Sequence, residues 1–170
     1  MSSKPTTNFS VRSADSTDAA EIARIYNHYV RIGGATFDVA QWPPEQVAQL
    51  LERESDAWFV AVASTGLLGW VSARQFSERY GYRYSCETAI YIDSDSIGTG
   101  VADALQKQIE NHCCEAGIHH AVAKIVADNE RSMNFHKRFG YEIVGIQKEI
   151  GRVGDAWVDV AILQKIFSNS

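Results

Sequence analysis

The order of hydrophobic periods along this chain predicts a mixed α/β fold, with antiparallel hairpins flanking one strand–helix–strand crossover. Three observations carry this reading. Residues 58–63 and 67–73 are apolar extended runs joined by Ser64, Thr65 and Gly66, which reads as a hairpin. An extended run over 82–92, a helical run from Gly98 to Gly117 and a further extended run over 120–127 make the crossover. Two more extended runs, 141–149 and 157–166, close the chain.

Taken in order, residues 9–12 open the fold as a short strand. Ile22, Ile25, Tyr26, Tyr29 and Val30 then recur at helical spacing after the polar start Ser16, Thr17 and Asp18, and Gly33 and Gly34 stop that helix. A loop through Trp42 and Pro43 leads to a second helix, with Pro44 in its first turn and Val47, Leu50 and Leu51 on one face. After the hairpin, the run over 82–92 is long for one strand and is expected to bulge. The crossover helix carries Val101, Ala104, Leu105 and Ile109. A short helix after Asn129 precedes the closing strands.

Length and composition bound the function. With 170 residues, 45% hydrophobic and 22% charged, the chain is expected to form one domain over residues 9–167, with loose polar ends at 1–8 and 168–170. A net charge of −5 disfavours a nucleic-acid surface, which needs clustered Lys and Arg. No apolar run reaches the roughly 18 residues of a membrane span, and a cytoplasmic location is the default expectation. The three cysteines, Cys86, Cys113 and Cys114, have neither disulfide-framework nor zinc-site spacing, and Cys113 and Cys114 are expected to be buried or half-buried on the crossover helix. No metal is implied.

The most informative stretch is 87–100. An extended run with Glu87 near its start passes through Asp93 and Asp95 to Gly98-Thr99-Gly100 and a helix. A helix start presents unpaired N–H groups and the positive end of its dipole, and glycines let a ligand approach the backbone. The junction suits a phosphate, and it equally suits an ordinary tight turn. Downstream, residues 129–141 read Asn129, Ser132, Met133, His136, Phe139, Gly140 and Tyr141, a short helix with a polar start and a glycine stop.

Together the two segments resemble the GNAT superfamily of CoA-dependent N-acetyltransferases, with its Gly-x-Gly cofactor loop and its later Asn-x-x-Ser helix ending in Gly and an aromatic residue. The likeness extends to the phosphinothricin N-acetyltransferase group through residues 25–29, Thr36 and Phe37, residues 79–87 and residues 157–160, covering about residues 10–166. The resemblance implies a central mixed, mostly antiparallel sheet flanked by helices, acetyl-CoA as co-substrate, a small amino-acid-like amine as acceptor and a homodimer. It implies cofactor contacts from Ile90, Tyr91 and Ile92, from the loop Asp95, Ser96, Ile97, Gly98, Thr99 and Gly100, and from Asn129 and Ser132. Acceptor contacts fall on Phe37, Arg79, Tyr80, Gly81 and Tyr82.

Glu87 in a mostly apolar strand needs a reason. Either it pairs with a cation such as Arg83, about 13 Å away along a straight strand, or it is the general base that draws a proton from the acceptor ammonium through water. His136 is either a packed ring or a group close to the departing sulfur. Asn129 is both an N-cap candidate and a donor–acceptor for pantetheine amides. The chain departs from the resemblance at Asp95, where the family loop opens with Arg or Gln, and at Ser77, where phosphinothricin enzymes carry Lys. Two carboxylates beside a diphosphate predict weaker CoA binding. A CoA-binding sensor without turnover is the competing reading, and an acetyltransferase of protein N-termini or aminoglycosides is a third that the small Arg/Tyr patch disfavours.

Overall fold

A computed structural model describes residues 8–168; the expectation of loose ends therefore lies, for residues 1–7, 169 and 170, outside the described residues. In chain order the elements are β1 (Ser10–Ser13), α1 (Ala19–Ile32), α2 (Pro44–Leu51), β2 (Ala57–Ala63), β3 (Gly66–Gln75), β4 (Ser85–Ile92), α3 (Val101–Glu115), β5 (His120–Val126), α4 (Glu130–Arg138), β6 (Glu142–Val153) and β7 (Ala156–Ile166). The strands form one seven-stranded sheet in the order β1-β2-β3-β4-β5-β7-β6. Only β4 and β5 pair in parallel, as the crossover through α3 requires. The mixed, mostly antiparallel sheet expected from the sequence is what forms.

Alternation along the strands sends side chains to two cores. On one face, Phe59, Val71 and Cys86 pack with Val101, Leu105 and Ile109 of α3. On the other, Trp58, Val60 and Trp70 pack with Ile22, Ile25, Tyr26 and Tyr29 of α1 and Val47 of α2. Arg12 holds the entry to α1 by donating to Asp18 at 2.7 Å, and Gly33, with φ of 74°, ends that helix.

Local structure departs from expectation at four points. Strand β4 begins at Ser85 rather than Tyr82, and its ladder with β3 runs without a register shift. Residues Tyr80–Tyr82 instead form a 3-10 turn, closed by Arg83 N–H donating to Tyr80 O at 3.1 Å and by the Arg83 guanidinium over the Tyr80 and Tyr84 rings. The aromatic content of that segment serves this stack, not a ladder. Helix α3 starts at Val101, not Gly98, because Gly98 and Gly100 adopt left-handed φ of 79° and 89°. Cys113 is buried, whereas Cys114, one position round the helix, is exposed. Register shifts fall elsewhere, at Ala61/Val62 in β2 and at Ile143/Gly145 in β6, and the longest lies between Gln147 and Gly151 of β6, where Glu149 takes a positive φ of 52°.

One topological feature positions the site. Parallel pairing of β4 with β5 covers only Ser85, Cys86 and Glu87, against His120, Ala121 and Val122. Beyond Glu87 the two strands diverge, leaving the β5-facing backbone of residues 88–92 without a ladder partner.

Candidate active site

The gap between the strands opens into a cavity of about 1350 Å³ lined from both faces of the sheet. That exceeds the roughly 300–1000 Å³ usual for one small ligand and leaves room for two substrates. Val126 and Ile92 flank the opening, with Gly98, Gly100 and Ala102 at the α3 end and Asn129, Ser132, Phe135 and His136 on α4. On the α1 face lie Tyr26, Trp42, Trp70, Arg74, Glu87 and Lys124.

The loop before α3 is built by its own side chains. Asp93 accepts from Asp95 N–H at 3.3 Å, and Thr99 Oγ1 donates to Ser96 O at 2.6 Å. A Cβ added to Gly98 or Gly100 would meet no atom within 4 Å, so both glycines border open space where a ligand can lie against the backbone. The first amides of α3 add the unpaired donors of a helix N-terminus, a chemistry that suits an anion. Asp93, expected to oppose an anion, is neutralised by Arg24 of α1 at 2.7 Å. Asp95 is exposed and, with Ser96 and Thr99, does not line the cavity, whereas Ile97, Gly98 and Gly100 do. The glycine gap and the unpaired β4 edge suit a diphosphate followed by an amide-bearing chain. Ile90, Tyr91 and Ile92 all line this passage. Tyr29 on α1 donates to Ile92 O, and Tyr91 donates to Ala35 O at 3.2 Å, which fixes the strand end and the loop behind it.

Glu87 sits at the last paired rung of β4 and β5, and its carboxylate accepts from Lys124 of β5 at 2.9 Å. Arg83 is not its partner. The Glu87 side chain is 27% exposed, within reach of water and of the cavity. Arg74, its cross-strand neighbour on β3, is half-buried, lines the cavity and has no carboxylate within ion-pair distance among the described residues.

His136 is 4% exposed and lines the cavity on the α4 side. Burial holds its imidazole below the ordinary histidine value, partly offset by its hydrogen bond to Ser132. Nδ1 lies 2.8 Å from Ser132 O, a carbonyl that can only accept, so Nδ1 carries the proton and the neutral ring offers Nε2 as an acceptor. Asn129 caps α4, with Oδ1 accepting from Ser132 N–H at 3.2 Å, and its Nδ2 has no hydrogen-bond partner among the described residues.

Of the acceptor residues expected from sequence, Phe37 lines the cavity, while Arg79, Tyr80, Gly81 and Tyr82 do not and are exposed in or beside the 3-10 turn. Sequence reasoning missed Arg74, Lys124 and the aromatic wall in which Tyr26 stacks on Trp42 at 3.9 Å and Trp70 lies 5.0 Å from Tyr91. Period-two alternation through Trp70, Ser72 and Arg74 was the available signal, but the nine residues between β3 and β4 leave their register open.

The fold and the cavity define an acyl-transfer enzyme of the CoA-dependent type, and comparison with known proteins agrees. Residues 11–162 match the family described as Acetyltransferase (GNAT) domain, and the chain belongs to that family. GNAT acetyltransferases use acetyl-CoA as their acetyl donor. The chain is 30% identical over 162 residues to a phosphinothricin N-acetyltransferase of Streptomyces coelicolor, covering 92% of this chain and 95% of that one. It is likewise 30% identical to an L-methionine sulfoximine/L-methionine sulfone acetyltransferase of Pseudomonas paraeruginosa, over 91% and 92% of the two chains. A solved phosphinothricin acetyltransferase from Sinorhizobium meliloti in complex with acetyl-CoA superposes with a TM-score of 0.87 at 26% identity, covering 93% of this chain and 88% of that one. Among the described residues no group of three or more His, Cys, Asp and Glu side chains is placed to hold a metal, and no helix is long and apolar enough to cross a membrane.

Proposed function

We propose that this chain acetylates the α-amine of a small amino acid or amino-acid analogue of the phosphinothricin or methionine sulfoximine kind. The observation that carries this reading is one cavity with two ends. The glycine-bordered loop before α3 is open to an anionic cofactor, and Glu87 with Arg74 faces the α1 side. Acetyl-CoA supplies the activated thioester. Gly98, Gly100 and the first amides of α3 receive its diphosphate, and Asn129 Nδ2 and the free β4 edge receive its amides. Arg74, which lines the cavity as Arg79 does not, meets the acceptor's acidic group, its guanidinium binding carboxylate or phosphinate oxygens in pairs. Glu87 takes the ammonium proton through water, and the freed amine is then aligned with the thioester across the gap. As the C–N bond forms and the C–S bond breaks, His136, neutral with a lone pair on Nε2, takes the second proton from the amine nitrogen and passes it to the sulfur, so that CoA leaves as thiol.

The sensor reading loses one of its two charges, since Asp93 is already paired with Arg24. A homodimer is part of the proposal and rests on exposed Ile143, Val144 and Ile146 along the edge strand β6 and on Trp157 of β7. So are a single domain over 9–167 and a cytoplasmic setting, the latter resting on three free thiols that a reducing compartment preserves. A panel of amines with acetyl-CoA and a thiol-detecting reagent tests the activity. Release of CoA thiol only with amino-acid-like amines is the expected result, and no release with any amine refutes it.

A further inference from the structure

Phe37 is one of the aromatic side chains that line the cavity. Phe37 stands between Thr36 and Asp38, and the Tyr26 hydroxyl lies 2.6 Å from Thr36 Oγ1 and donates to Asp38 Oδ2 at 2.6 Å. Asp38 also accepts from Trp42 Nε1 at 2.9 Å. The loop is thus held on both sides of Phe37, and the ring itself remains to move. It reaches across to β6, where a Cβ built on Gly151 would lie 2.9 Å from Phe37 Cζ and 3.1 Å from each Cε. Carbon atoms in contact sit about 3.5–4.0 Å apart, so the ring occupies the volume of the missing side chain. Gly151 does not have the left-handed φ that would require glycine for conformational reasons.

The β6 bulge brings Gly151 to this place. Between Gln147 and Gly151 the strand departs from its ladder, and Asp159 of β7 pins the excursion by accepting from Lys148 Nζ at 2.7 Å and from Glu149 N–H at 2.8 Å. Phe37 lines the cavity and Gly151 does not, so the ring lies between the glycine and the acceptor space.

We infer that Gly151 is a specificity-determining residue: having no side chain, it seats Phe37 back against β6 and so sets how large a side chain the acceptor can carry. This rests on the amine-acceptor reading above. A methyl at position 151 drives the ring inward, shrinking the pocket without touching the cofactor end.

The test measures KM for alanine, methionine sulfone, phenylalanine and tryptophan with acetyl-CoA, in wild type and Gly151→Ala. The expected result is that the ratio of KM for the largest accepted amine to that for the smallest rises roughly tenfold, the scale of discrimination in a pocket altered by one methyl group. The dissociation constant for acetyl-CoA should stay unchanged. Phe37→Leu in the Gly151→Ala background, which removes the ring carbons facing position 151, should bring the ratio back. A flat ratio, an equal rise for every amine, or no rescue overturns the inference while leaving the acetyltransferase reading intact. Absence of turnover by wild type with every amine overturns both.

Discussion

Glu87 is the residue on which turnover is expected to depend most. Replacing it by Gln keeps the shape and leaves Lys124, whose side chain is 48% exposed, without a partner at little cost to folding. Turnover should fall by about 10²- to 10⁴-fold, the contribution of a positioned general base, with CoA affinity retained. The loss should ease at high pH, where more of the amine is already neutral. Steady-state rates from pH 6 to 9 check this, and full activity throughout would make Glu87 structural. His136 gives a stability prediction of definite sign. Its folded-state pKa lies below the ordinary value of 6.5, so the unfolded chain binds the proton more readily. The stability it contributes is complete above that value and declines as pH falls through 6.5 towards the folded pKa. The slope of the urea midpoint against pH should be shallower below 6.5 for His136→Phe than for wild type, and equal slopes would show that the ring is not held neutral by burial.

At the scale of elements, the loop between β4 and α3 works through backbone geometry. Gly98 has φ of 79° and open space where a Cβ would be. Gly98→Val forces a β-branched residue into a left-handed conformation, a local strain of order 1–3 kcal/mol, and puts methyl groups where the cofactor backbone contact belongs. We expect acetyl-CoA binding by calorimetry to weaken at least tenfold, as ~1.4 kcal/mol of lost contact implies, with the circular dichroism spectrum retained. Undiminished affinity would place the cofactor elsewhere. This loop was legible in the sequence because its glycines are a local signal. The start of α3 was misplaced by three residues because the same glycines that mark the cradle are non-helical. The overextended β4 has a similar cause, since Tyr favours a strand by propensity while the Arg83 stack holds Tyr80 and Tyr84 in a turn.

At the scale of the molecule, β6 is an edge strand of twelve residues, exposed along most of its length, with Ile143 at 44%, Val144 at 59% and Ile146 at 43% exposure. Apolar residues on a free edge favour pairing with another copy. Sedimentation at micromolar concentration should show a dimer, and Ile146→Glu should shift it to monomer by placing unpaired charge in the contact. A monomer in wild type would remove the assembly from the proposal.

The sequence by itself determined the alternation of strands and helices, the glycine turn before α3, the Asn129 cap and the acid at position 87, because each rests on periodicity or on backbone demands within a few residues. Tertiary structure alone decided that Lys124 rather than Arg83 meets Glu87, that Arg74 joins the cavity while Arg79 stays outside it, that Arg24 neutralises Asp93 from 69 residues away, and that Phe37 rests on Gly151. These contacts follow from the register between strands separated by long connections and from which face each strand turns to α1. Packing of the two cores sets both, and no local pattern encodes it.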